Sequence, residues 1–202
     1  MTEKEIHQIC EEHFIKNYTI NNDMSIDVDR YVNLNGFNLK KIPLTFNKVN
    51  GDFRCRNNIL ESLEGVPKEV TGDFHCSYNK LKSLKYLPTY IGRDFFCNDN
   101  KIKTLEGCPN IISGLFDASD NSLRTLENIP KCEIFSIAEN PVTQFLIMLD
   151  FDRDNINYFN ELGVIQKQGR ATVVILDRLN YLLQDLGKEE ISEKKIRNYK
   201  VI

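Results

Sequence analysis

The chain has 202 residues, 41% of them hydrophobic and 27% charged, with a formal net charge of -3. That length is enough for one domain with a sizeable core, and the composition is that of an ordinary globular protein. The small negative charge gives no general attraction to nucleic acid or anionic lipid, and no run approaches the length of a membrane span.

The N-terminus, MTEKEIHQICEEHF, is acidic and amphipathic and does not read as a signal peptide, so a reducing cytoplasm is the expected compartment. Thr2 followed by Glu5 is a capping-box signature, and Ile6, Ile9, Cys10, His13 and Phe14 fall on one face at helical spacing. YTINNDMSIDVD then reads as a hairpin with NND at its turn. Residues 1–30 are therefore expected to form a helix-and-hairpin cap, with His13 packed in it and not catalytic.

From Tyr31 the chain repeats at a step of 21. GDFRCRNNILESLEGVP, starting at Gly51, is nearly rewritten as GDFHCSYNKLKSLKYLP, starting at Gly72. The step aligns Phe53, Phe74, Phe95 and Phe116, then Asn58, Asn79, Asn100 and Asn121, then Leu63, Leu84, Leu105 and Leu126. An earlier degenerate copy keeps Val32, Leu34, Leu39 and Ile42 in register, with Phe37 at the Asn position. A shortened copy closes the series at Phe135, Ile137 and Asn140. A period of this size is the mark of a solenoid, in which each coil hides its apolar side only against its neighbours.

Within one coil, F-x-C predicts a short parallel strand with both apolar residues inward. The Asn turns the chain, and its side chain can serve backbone groups that the turn leaves unpaired, so that stacked copies form a ladder. Val49, Val70, Ile91 and Ile112 sit four residues ahead of each Phe, a spacing that predicts a bulge or turn. Cys55, Cys76 and Cys97 share their slot with Leu34, Ala118 and Ile137 of other copies. That slot is small and apolar, so these cysteines read as buried free thiols in preference to disulfide or zinc ligands.

Alternation then turns residues on either side of the inward pair toward solvent. The first outward column reads Tyr31, Asp52, Asp73, Asp94, Leu115, Ile134. The second reads Asn33, Arg54, His75, Phe96, Asp117, Ser136, and the third Asn35, Arg56, Ser77, Asn98, Ser119, Ala138. Tyr78 lies just beyond. The middle column changes chemistry at every step while the inward columns hardly change. Arg54, His75, Phe96 and Asp117 are therefore the expected centre of a protein-binding face, with Tyr31, Asp52, Asp73, Asp94, Arg56, Tyr78 and Asn98 around it. Two plainer readings stand beside this one: Phe96 as a scattered surface apolar residue, and the Asp column as turn residues leading into the strands.

After Pro141 the repeat stops. TQFLIMLDF looks helical, DRDNINYFNELG looks like an amphipathic helix stopped by Gly163, and RATVVILDRLNYLLQDLG begins β-like and becomes helical. NYKVI reads as a final strand, and residues 142–202 are expected to be a mainly helical C-terminal cap. Asp150, Asp152, Asp154 and Glu161 match positions of a calcium-binding EF-hand loop, but Asn155 replaces its glycine and a helix start explains the same residues. No metal or cofactor is expected, no P-loop, dinucleotide fingerprint or nucleophile elbow occurs, and an enzyme is not expected.

The pattern F-x-C-x-x-N-x-L-x-S/T-L resembles the leucine-rich repeat, and the E-G-x-P after it resembles a short bacterial subclass with an extended return segment. The expected fold is thus an α+β solenoid over residues 31–141, with a parallel β concave face, an extended convex side, and helical caps at both ends. NYTINNDMSIDVDRYVNLNGFNLKKIPLTFNKVNGDFRC, SLEGVPKEVTGDFHC, TLEGCPN and the ending VVILDRLNYLLQDLGK with YKVI are similar to leucine-rich-repeat proteins of tailed, T-even-like bacteriophages. The resemblance implies an accessory phage protein, in the cytoplasm of the infected bacterium, that binds and inhibits a host protein. Toxins and other defence factors are the implied class of partner, a DarT-type DNA ADP-ribosyltransferase among them, with no direct nucleic-acid or membrane partner. A structural or assembly role in the virion is the alternative, followed by a calcium-dependent or enzymatic role in the C-terminal region.

Overall fold

Stacking at the 21-residue step produces a β-solenoid of about five turns in the computed structural model, which describes residues 1–149, 155, 159, 161–168, 171–197 and 199–202. The chain falls into two compact units, residues 1–122 with 128–138, and residues 123–127 with 139–202. Among the described residues no helix is long and apolar enough to cross a membrane.

The first unit opens with helix α1 (Glu3–Glu12), whose capping box forms as the sequence requires. Thr2 Oγ1 accepts from the Glu5 N–H, and Glu5 Oε2 accepts from the Thr2 N–H at 2.7 Å. Ile6 and Cys10 are buried. The apolar face is shorter than the spacing predicted, because the helix ends at Glu12 and Phe14 adopts φ +56°. Phe14 occupies the left-handed stop position usually given to glycine, and it is 77% exposed instead of packed. Strands β1 (Tyr18–Ile20) and β2 (Ile26–Val28) then form the antiparallel hairpin.

Two parallel sheets make up the coils. The first joins β3 (Val32–Asn33), β5 (Phe53–Arg54), β7 (Phe74–His75), β9 (Phe95–Phe96), β10 (Leu115–Asp117) and β11 (Ile134–Ser136) in one six-stranded ladder. Its register pairs Val32, Phe53, Phe74, Phe95, Phe116 and Phe135 in turn. The return path is extended and also paired: β4 (Phe46–Val49), β6 (Glu69–Val70) and β8 (Tyr90–Ile91) build a second parallel sheet onto β2. The four-residue step from Val49 to Phe53 holds the bend that carries the chain from one sheet to the other.

Between the sheets the Phe column is fully buried, with ring centroids 5.7, 5.8 and 5.4 Å apart from Phe53 to Phe116. Each such burial is worth about 2 to 3 kcal/mol relative to exposure. Cys55, Cys76 and Cys97 are free thiols at 0% exposure, and burial pushes Cys55 up to about 12.

The Asn residues bind each coil to the previous one. Asn79 Oδ1 accepts from the Leu60 N–H of the preceding coil at 3.0 Å, while its Nδ2 donates to the carbonyls of Cys55 and Cys76. Asn58, Asn100 and Asn121 repeat the arrangement, with Leu39, Leu81 and Ile102 as donors. The residue before each Asn (Asn57, Tyr78, Asp99, Asp120) sits near φ +55° to aim the amide inward.

The second unit contains α2 (Pro141–Met148), α3 (Leu176–Asp185) and a three-stranded sheet. In that sheet β13 (Ala171–Val174) lies between antiparallel β12 (Ile165–Gln168) and parallel β14 (Lys200–Val201). Leu179, Leu182 and Leu183 are the buried face of α3. Gly163 takes φ +59°; the amphipathic helix expected before it, over DRDNINYFNELG, lies mostly outside the described residues. Of the calcium-loop candidates, Asp150, Asp152 and Asp154 lie outside the described residues.

Replacing Asn79 by Ala orphans a buried N–H and removes three carbonyl contacts at once. A loss of about 3 kcal/mol is expected in urea unfolding, against less than about 0.5 kcal/mol for exposed Lys80→Ala.

Candidate functional site

Parallel pairing in register sets Arg54, His75, Phe96 and Asp117 side by side on the outward face of the six-stranded sheet. The four expected central residues therefore form one row. His75 and Phe96 stack with centroids 4.4 Å apart and planes within 5°. Arg54 Nη2 donates to Asp52 Oδ2 at 2.6 Å, which fixes the guanidinium against the face. Its Nε is shut off from solvent and has no acceptor among the described residues, an arrangement that costs stability without an evident structural return. Asp117 Oδ1 accepts from both the N–H and the hydroxyl of Ser119.

The Asp column has a structural task. Asp52 Oδ1 accepts from the Asp73 N–H at 2.9 Å, Asp73 Oδ1 from the Asp94 N–H, and Asp94 Oδ1 from the Leu115 N–H at 2.8 Å. The carboxylates of Asp52 and Asp73 are only 20% and 16% exposed. A Cβ at Gly72 or Gly114 would run into the Asp52 or Asp94 carboxylate, so glycine there clears the way for the hydrogen bond. Burial alone would raise Asp52, but the Asp73 N–H and the Arg54 guanidinium outweigh it and hold the carboxyl below its ordinary value. Arg93 Nε stands 3.7 Å from Asp73 and adds a second cation to the column. Sequence reasoning reached these residues only as turn residues leading into the strands and missed that their carboxylates accept the next coil's N–H; the signal was the glycine that recurs before the strand.

The remaining candidates are dispersed. Tyr31 and Arg56 are exposed on the N-terminal coils. Asn98 is engaged on the face itself, accepting from the Ser77 hydroxyl and donating to Asp99. Tyr78 is exposed in the left-handed turn at φ +54°, with the neighbouring Asp99 carboxylate raising its hydroxyl. A left-handed conformation costs a non-glycine residue about 1 to 2 kcal/mol, a cost that Asn57 and the Asp residues at equivalent positions bear more easily. Among the described residues no group of three His, Cys, Asp or Glu side chains is gathered to hold a metal ion. No protein-family model, curated protein or solved structure matches the chain.

Burial lowers His75, opposed by Asp73, so the folded chain favours the neutral imidazole. The unfolded chain then binds the proton more readily, and stability is lost as pH falls through the unfolded value of about 6.5. Urea unfolding between pH 7.5 and 5.5 should weaken wild type more than His75→Phe. Parallel curves for the two proteins would mean that His75 is not held neutral.

Proposed function

We propose that the chain is a phage-encoded leucine-rich-repeat module that binds a bacterial host protein through its six-stranded face and inhibits it. The leucine-rich-repeat reading is supported by the inward F-x-C strands and by the Asn side chains that link each coil to the one before. The phage origin rests on the resemblance of the entry segment, the repeats and the ending. A defence factor or toxin in the host cytoplasm is the favoured partner, and a DarT-type ADP-ribosyltransferase is one member of that class; against it the module would act as an anti-DarT factor.

The row Arg54–His75–Phe96–Asp117 carries this reading. Its backbone is held rigid by the ladder beneath, yet its chemistry changes from cation to ring pair to carboxylate over four strands. Aromatic residues and Arg on a rigid support are the composition of interface centres. Inhibition by occlusion asks for no chemistry from the module, and the buried repeat thiols, raised by desolvation, are poor nucleophiles.

The test is affinity capture from infected bacteria, with wild type beside an Arg54→Ala/His75→Ala/Phe96→Ala variant of matched melting temperature. Central contacts cost about 2 kcal/mol or more each when truncated, so the variant should lose its host partner at least about a hundredfold. Capture of the same proteins by both baits, or of virion proteins alone, would overturn the proposal.

A further inference from the structure

Helix α2, PVTQFLIM, is apolar nearly all round, a pattern that belongs to a helix covered on every side. Val142, Phe145 and Leu146 are indeed buried, but Ile147 is 72% and Met148 44% exposed. Beside this helix lies a cleft of about 540 Å³ whose lining includes the apolar Phe145 and Met148 together with Gln144. Lys194, Lys195 and Arg197 supply its basic wall.

That basic wall is held in place. Lys194 and Lys195 belong to a 3-10 turn (Glu193–Lys195), and Ile196 behind it is buried. Two residues beyond Arg197, the Tyr199 ring packs 5.3 Å from Phe145 and its hydroxyl donates to the Arg124 carbonyl at 3.0 Å. Among the described residues none of the three cations has an acidic partner, although the chain as a whole is negative.

We infer that this cleft is a second binding site, taking a short acidic peptide segment of a partner protein that carries one large apolar side chain. The apolar lining takes the side chain, and Met148 supplies an adaptable surface for it. The three cations meet flanking carboxylates and set the register. The chemistry favours a peptide over a nucleic acid. Phe145 is buried and offers no face for base stacking, and three cations beside apolar lining suit a few carboxylates around one apolar side chain better than an unbroken run of phosphates.

The experiment is fluorescence anisotropy with the full chain and a labelled peptide of Glu and Asp around a central Phe. The same peptide with Ser for Phe, and a single-stranded oligonucleotide, serve as competing probes. Binding should weaken about tenfold or more for Lys194→Glu/Lys195→Glu/Arg197→Glu, and also for Met148→Asp, with unchanged melting curves. The Ser peptide should bind correspondingly less. No binding of the Phe peptide, equal binding by the variants, or tighter binding of the oligonucleotide would overturn the inference. Self-association of the chain that the charge reversals abolish would assign the cleft to a second copy and overturn it as well.

Discussion

The amide of one asparagine per coil holds the solenoid together. A strand of two residues such as Phe74–His75 pairs too briefly to fix a fold, and the turn that follows leaves backbone groups facing the interior. Asn79 answers both problems, because its Oδ1 takes an N–H of the preceding coil and its Nδ2 reaches carbonyls of two coils. Buried polar backbone without partners would cost about 1 to 3 kcal/mol per group, enough over several coils to exceed the stability of a typical domain. The Phe column supplies the burial, but it is non-directional and would tolerate sliding. The Asn contacts are directional and set the register.

A second ladder runs on the outer face, and it changes how that face should be understood. Asp52, Asp73 and Asp94 each spend one oxygen on the next coil, so the column first met as a possible charged surface is largely part of the scaffold. The second oxygen of Asp52 anchors Arg54. What remains free to vary is the middle row. Its inward neighbours are constrained by packing and its flanks by hydrogen bonds, so diversity of side-chain chemistry is confined to positions where it does not disturb the coil.

Much of the architecture was legible because the constraint repeats. The Phe, Cys and Asn positions each recur at 21 residues, and the outward direction of the central row follows from strand alternation, whereas Tyr78 would point inward by that rule and is turned out by its left-handed backbone. The central row followed directly, since equal register makes sequence-equivalent residues neighbours. Other features depend on geometry that no period encodes. Strands such as Glu69–Val70 are too short to carry an alternation signal, so the second sheet was visible only as an extended path. Phe14 keeps helical spacing in the sequence, yet the helix stops two residues earlier and turns it to solvent. The Asp ladder depends on the reach of a carboxylate to the next coil's amide, for which the only sequence trace is glycine at positions such as Gly72. In the second unit, β12 leaves no sequence signal, because IQKQ has neither alternation nor β-branched content beyond Ile165.

Amide hydrogen exchange at Leu60, Leu81 and Ile102 tests the organising role of the asparagines most directly. Each of these N–H groups donates to an Asn side chain of the following coil and to no strand. If the ladder holds the coils, all three exchange as slowly as the central strand amides of Phe53 and Phe74, through global unfolding. If they exchange at the rate of exposed turn amides while the strands stay protected, the asparagines only decorate a stack that the aromatic core maintains.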